Sequence, residues 1–233
     1  MEPPETPSGS NKARWPNHRH DLIHTFGVED YDAYWNALPM RKQMRSIHKR
    51  MIREILKLVP PPAKLLELGP GPGHLYWALD GLGYEMYACD VSKVALDALQ
   101  APSERVRQAD LNSGLPDFGT TFQVILAAMV LHHIIKPNEF LAQLRDAVCR
   151  NGFLVLTIPN IISLKNRMRM LAGKFPHLSP SHRNFMTPLE VKELMERNNL
   201  KSVRVISARR KPLELISPTL FSKELIVIAK TIG

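Results

Sequence analysis

Three glycines at alternate positions, Gly69, Gly71 and Gly73, follow directly on an apolar run that ends at Leu68. The stretch 64–79, KLLELGPGPGHLYWAL, reads as a strand, a tight turn and a helix that starts near His74. Glycine has no Cβ, so the backbone can come close to a ligand. The first amides of the following helix then point at whatever polar group docks there. Such a unit can hold a dinucleotide, a nucleotide phosphate or S-adenosylmethionine. A phosphate loop needs Lys and then Ser or Thr after its last glycine, and Gly73-His74-Leu75 supplies neither. The dinucleotide fingerprint G-x-G-x-x-G places its third glycine where His74 stands. A turn with no ligand is the plain alternative, but three glycines and two prolines within five residues after a strand argue against it.

Other chemistry-bearing residues sit at the ends of later apolar runs. Asp90 ends the run 85–89, about twenty positions past the glycine turn, where a carboxylate can accept from both ribose hydroxyls. Its competing role is a helix N-cap, because Asp90-Val91-Ser92 leads into a helix over 93–99. Asp110 ends a third short strand, 106–109, and His132-His133 end a fourth, 122–131. A reaction that takes a proton from a hydroxyl needs a base, and His132, His133 and His182 are the candidates. His133 is the choice, because it follows the strand whose end faces the ligand. A histidine bonded to a backbone carbonyl is the plain reading. His18 and His20 have no third ligand at a suitable spacing, so no metal is expected.

Strands that alternate with helices over short connections predict an α/β fold, a parallel sheet covered by helices on both faces. The helices fall at 74–82, 93–99 and 138–149, and a fifth strand at 153–158. The almost wholly apolar fourth strand suits a central position buried on both faces. Upstream, residues 39–58 have Met44, Ile47, Met51, Ile55 and Leu58 at helical spacing. Their other face carries Arg41, Lys42, Arg45, Lys49, Arg50, Arg53 and Lys57. Tyr31, Tyr34 and Trp35 share one side of a short helix over 28–35, which packs on the domain or, alternatively, forms a lid. The stretch 161–186 is too long for a simple connection. It is read as a basic cap, with Leu164, Met168 and Leu171 on one helical face. Thr187-Pro188-Leu189-Glu190 opens a further helix with a capping box. Strands at 202–207 and 224–229 then form an antiparallel pair at the sheet edge. The organisation is a disordered tail over 1–13, a helical lid or cap segment over 14–63 and one domain over 64–233.

The 233 residues and 44% hydrophobic content suffice for one core. Cys89 and Cys149 form no disulfide framework, which with the lack of a signal-like or membrane-spanning run predicts a cytoplasmic protein. The net charge of +9 suits an anionic substrate, a nucleic acid or an anionic membrane surface.

The ordered segments LLELGPGPG, YACD, QADL, FQVILAAMVLHHI and GFLVLTIPN resemble the class I S-adenosylmethionine-dependent methyltransferases, from Leu65 to the C-terminus. Among them the chain is similar to the small-molecule branch typified by ubiquinone-biosynthesis enzymes. The resemblance implies a Rossmann-like, seven-stranded, mostly parallel sheet with an antiparallel edge strand. It implies S-adenosylmethionine as cofactor, with Gly69, Gly71 and Gly73 lining its methionine end and Glu67 behind them orienting the ammonium. Asp90 would bind the ribose, Asp110 the adenine amino group, and the Leu111 backbone would lie beside the ring. Ala128 would sit near the sulfonium, and His133 matches a histidine common after the fourth strand. Arg41 is a weaker match to a contact with the methionine carboxylate. The acidic residue usual at the start of the fourth strand is Gln123 here. The implied reaction is in-line methyl transfer to a small-molecule or lipid-like acceptor. The alternatives are an RNA or protein acceptor met by the basic faces, or a scaffold that binds the cofactor without turnover. Peripheral contact with an anionic membrane is compatible with the basic cap.

Overall fold

The computed structural model describes residues 28–37, 44–176, 182–209 and 211–232. The tail, His18 and His20, Arg41, Lys42 and residues 177–181 of the cap lie outside the described residues. The element order is α1 (Val28–Ala37), α2 (Ser46–Leu58), β1 (Lys64–Leu68), α3 (His74–Asp80), β2 (Glu85–Asp90), α4 (Lys93–Leu99), β3 (Val106–Gln108), β4 (Phe122–Ala128), α5 (Pro137–Ala147), β5 (Val148–Pro159), α6 (Leu164–Leu171), α7 (Pro188–Arg197), β6 (Leu200–Ser207), α8 (Pro212–Ile216), α9 (Pro218–Phe221) and β7 (Glu224–Thr231).

The strands form one seven-stranded sheet in the order β3-β2-β1-β4-β5-β7-β6. The β3, β2, β1, β4 and β5 strands run parallel. The expected antiparallel pair is β6 and β7. The reversed strand, β7, lies between β5 and the outermost β6. Because side chains alternate along a strand, β1 sends Leu66 and Leu68 to one core and Leu65 to the other. The first core is closed by Phe140, Leu141 and Leu144 of α5 and by Val191 and Met195 of α7. The second is closed by Ile47, Met51 and Ile55 of α2, with Leu75 and Leu79 of α3 and Leu99 of α4. The spacing of apolar residues in α2 therefore packs that helix directly on the sheet. Its basic face is not wholly solvated: Arg50 and Lys57 both pair with the buried Glu54 at 3.0 Å, and Arg45 pairs with Glu224, while Lys49 and Arg53 are exposed.

Register decides where the chemistry falls. Leu68 pairs with Cys89 on one side and with Ala127 on the other, and Asp90 pairs with Gln108. The carboxyl ends of β1, β2, β3 and β4 therefore reach one rim. The strand order reverses between β1 and its neighbours there, which is where open α/β sheets bind ligands. The Gln123 departure has a local role: its Oε1 accepts the Lys64 amide at 2.7 Å and so fixes the start of β1 against β4.

Several boundaries differ from the sequence reading, among them the start of α2, at Ser46 rather than 39, and three others with a visible cause. β4 ends at Ala128 rather than 131, because Met129 adopts φ +62° and Leu131–His133 turn as a short 3-10 helix. β5 begins at Val148 rather than 153: Val148 pairs with Phe122 across an irregularity, and Asn151 in the left-handed region absorbs the extra residues. The segment 208–222 is not a plain link but carries α8 and α9. The capping box is present: Thr187 Oγ1 accepts the Glu190 amide at 3.3 Å, and the Glu190 carboxylate accepts the Thr187 amide at 2.6 Å.

Candidate active site

The three glycines of the turn all have positive φ, +63°, +50° and +72°, a region that side chains with a Cβ rarely adopt. Space is equally restrictive. A Cβ at Gly71 would stand 2.6 Å from the Trp35 ring, and one at Gly73 would stand 2.5 Å from Leu99. The turn is tied to the next strand at two levels. The Gly69 amide donates to the Cys89 carbonyl at 2.8 Å, and the Gly71 amide donates to Asp90 Oδ2 at 3.3 Å.

Asp90 was weighed against an N-cap role, and the structure separates the two. Ser92 is the cap of α4, its Oγ accepting the Ala95 amide at 3.2 Å. Asp90 Oδ1 accepts the Ser92 amide at 2.9 Å, so Asp90 braces the capping turn and the glycine turn together. A carboxylate offers about four lone-pair directions, and the two used here leave acceptor capacity at the rim. Burial pushes its carboxyl up to about 6, against the pull of the backbone amides.

Glu67 lies one residue before the end of β1 and is 2% exposed. Its Oε2 has no hydrogen-bond partner among the described residues. Burial, reinforced by the neighbouring Asp90 charge, pushes its carboxyl up to about 8. A buried, unpaired carboxyl oxygen beside a second carboxylate is a place where a cation would be stabilised.

Asp110 stands at the end of β3 but is exposed, and its Oδ1 accepts from the Asn112 backbone and side chain at 2.9 and 3.2 Å. It belongs to the rim, held by the Ala109 amide donating to the Asp90 carbonyl at 3.0 Å. Leu111 beside it is half-buried against the first core. Ala128 is half-buried at the tip of β4, and the next amide, Met129, donates to the buried Thr157 Oγ1 at 2.8 Å.

The histidines converge. His132, His133 and His182 bring one ring nitrogen each to within 4.8 Å of one another. His132 is 4% exposed. Burial first, then the neighbouring histidines, push it down to about 2, and His182 likewise falls to about 4. Both rings are therefore uncharged at neutral pH. The Tyr31 hydroxyl lies 3.4 Å from His133 Nδ1.

Sequence reasoning missed what α1 does here. Its aromatic spacing indicates packing, but not the target. Trp35 lies on Gly71, Tyr31 reaches His133, and Asp32 accepts from Ser92 Oγ and from the Val94 amide, the latter at 3.3 Å. The helix thus joins the glycine turn, the start of α4 and the tip of β4. Thr157 was also missed, although a lone hydroxyl in the run LVLTIP was a visible signal.

A family described as Methyltransferase domain matches residues 40–205. The chain belongs to that family. The matched segment is a methyltransferase domain, and the glycine cradle with the unpaired Glu67 oxygen suits a cationic ligand. A ubiquinone biosynthesis O-methyltransferase, mitochondrial, of Schizosaccharomyces pombe is 33% identical over 104 residues. That segment spans 40% of this chain and 37% of the relative. An S-adenosylmethionine-dependent methyltransferase from Archaeoglobus fulgidus has the same fold at a TM-score of 0.61 and 17% identity, covering 79% of this chain and 93% of that one. A Burkholderia thailandensis 1,6-didemethyltoxoflavin-N1-methyltransferase, solved with S-adenosylhomocysteine, has a TM-score of 0.58 at 16% identity, covering 80% and 79%. No helix among the described residues is long and apolar enough to cross a membrane.

The raised Glu67 carboxyl has a consequence for stability. In the unfolded chain it ionises near 4.5 and in the folded, ligand-free protein near 8, so between these values the folded state holds the extra proton. Glu67 therefore contributes stability below its unfolded value, and that contribution is lost as pH rises toward about 8. The buried histidines act in the opposite sense, so Glu67 is read as a difference: in urea unfolding of the ligand-free proteins, the stability of wild type relative to Glu67→Gln should fall from pH 5 to pH 8. A difference that stays constant with pH would remove Glu67 as its source.

Proposed function

We propose that this chain transfers a methyl group from S-adenosylmethionine to a hydroxyl of a small, lipid-like acceptor. The observation that carries the cofactor half is the meeting of Glu67 and Asp90 behind a glycine turn at the strand rim. When bound, S-adenosylmethionine supplies an electrophilic methyl on a sulfonium. Gly69, Gly71 and Gly73 line the methionine end, and Glu67, ionised by the approach of the ammonium, balances its charge. Asp90 accepts from the ribose hydroxyls with its remaining lone pairs. Asp110 accepts from the adenine amino group, with the Leu111 backbone beside the ring. Ala128 leaves room next to the sulfonium for in-line attack. The proton of the acceptor is removed at the histidine cluster, where His133 is the base we assign, since His132 and His182 are held too low to take up a proton near neutral pH.

The acceptor class rests on two supports. The partial relative from Schizosaccharomyces pombe is named as an O-methyltransferase of ubiquinone biosynthesis. The cap helix α6 buries none of its residues. Leu164, Met168 and Leu171 are exposed on it at 42%, 57% and 81%, together with Phe175 at 63%. Lys165, Arg167 and Lys174 are exposed among them. Exposed apolar groups interleaved with cations suit an element that takes an apolar acceptor from an anionic lipid surface. Cys89 and Cys149 are free thiols, which supports action in a reducing compartment such as the cytoplasm.

Asp90→Ala should weaken S-adenosylhomocysteine binding at least about tenfold, the loss of a charged hydrogen bond of about 1.5–3 kcal/mol. Calorimetry on the purified chain reads this, and an unchanged affinity would exclude Asp90 from the site. For the acceptor, the chain is supplied with methyl-labelled S-adenosylmethionine and either hydroxylated lipid-like aromatics or total RNA. Label should enter the organic extract at a rate little affected by salt. Label confined to RNA, with turnover falling steeply as salt rises, would overturn the acceptor assignment.

A further inference from the structure

The His132, His133 and His182 cluster is more than a source of one base. We propose that these three imidazoles form a binding site for one divalent transition-metal ion of the Zn²⁺ class. The inference rests on the reading above for its role, though not for its existence.

The ring nitrogens already lie within 4.8 Å of one another. Bonds of about 2.0–2.1 Å in a tetrahedral site place ligand nitrogens roughly 3.4 Å apart. Side-chain rotation alone can close the remainder. Two ligands come from one 3-10 turn and the third from the cap, and the backbone fixes their meeting without help from the rings. The His132 carbonyl accepts the amides of Arg183 and Asn184 at 2.7 and 3.1 Å, and the Asn184 side chain donates to the Ile134 carbonyl. His182 is thus held against the β4 tip by hydrogen bonds that need no imidazole.

Two ring atoms lack what burial demands. His132 Nδ1 and His182 Nδ1 are buried and have no hydrogen-bond partner among the described residues. Leaving such atoms unpaired costs about 1–3 kcal/mol each, which packing alone does not explain. Coordination engages these rings, and an all-imidazole donor set selects zinc, copper, nickel or iron over magnesium or calcium. Spacing along the chain hides the site, since His182 is far from the pair and no familiar ligand motif arises.

Three protein ligands leave a fourth position open, as in catalytic rather than structural sites. Two of the ligands stand on the short turn that follows β4, whose last residue is Ala128, so the open position would serve that strand end. An acceptor hydroxyl bound there becomes more acidic and releases its proton to water. The oxygen's electron pair then forms the new O–CH₃ bond as the methyl carbon–sulfur bond breaks, its electron pair going to sulfur. The products are the methyl ether, S-adenosylhomocysteine and one proton. In the loaded protein this replaces the imidazole base, with His133 as a ligand.

The test uses the full chain, stripped with a chelator and dialysed against Zn²⁺ or Co²⁺. Bound zinc is measured by elemental analysis, and S-adenosylhomocysteine binding is followed in parallel by calorimetry. One zinc per chain is expected, with an intense visible Co²⁺ spectrum of low coordination number. His182→Ala should lower zinc affinity by more than the roughly 10–100-fold that removing an outer-shell partner costs, while S-adenosylhomocysteine still binds. Should that variant fail to fold, X-ray absorption of zinc-loaded wild type decides, with a three-imidazole shell expected. No stoichiometric zinc, zinc retained fully in His182→Ala, or a shell without three imidazoles would overturn the site. Zinc bound without S-adenosylhomocysteine would instead sink the methyl-transfer reading and leave the metal site standing.

Discussion

The carboxylate of Asp90 joins two turns that would otherwise be independent. One oxygen takes the Gly71 amide and the other the Ser92 amide, so the ends of β1 and β2 are held in one geometry. The turn is further held by the Gly69 amide on the Cys89 carbonyl and by Trp35 and Leu99 packed on its glycines, all three of which occupy the left-handed region. The in-register pairing of β1 with β2 and β4 brings the partners within reach. Without this tie, the glycine turn and the capping turn of α4 would lose the carboxylate they share.

Burial then sets the charge state of the rim. Two carboxyls share one low-dielectric corner and both are pushed up, Glu67 further than Asp90. The ligand-free site is therefore a poor place for two negative charges and a good one for a bound cation. The same burial acts in the opposite direction on His132 and His182. One end of the rim thus stores protons that a cation can displace, and the other offers uncharged nitrogens.

The parallel half of the sheet is legible in the sequence because β1, β2 and β4 are largely apolar and because Gly69, Asp90, Asp110 and His132 each follow shortly on a strand. Burial on both faces requires such runs, and a ligand rim requires polar residues at their ends. What is not legible depends on contacts between distant segments. Trp35 on Gly71 and His182 beside His132 are set by how α1 and the cap fold back, which no local period encodes. The start of β5 is obscured because Arg150-Asn151-Gly152 has turn composition and forms the irregularity between the Val148 and Phe153 pairs, although the strand runs through it. The role of Asp90 was ambiguous because Ser92, two residues on, takes the capping task that both could perform.

The most direct measurement is a crystal structure of the full chain with S-adenosylhomocysteine. The ribose hydroxyls should lie within hydrogen-bond distance of Asp90, with the ammonium beside Glu67 and the sulfur facing the β4 tip. A ligand bound away from this rim, or one lying there with Asp90 out of reach of the ribose and Glu67 still unpaired, would contradict the assignment.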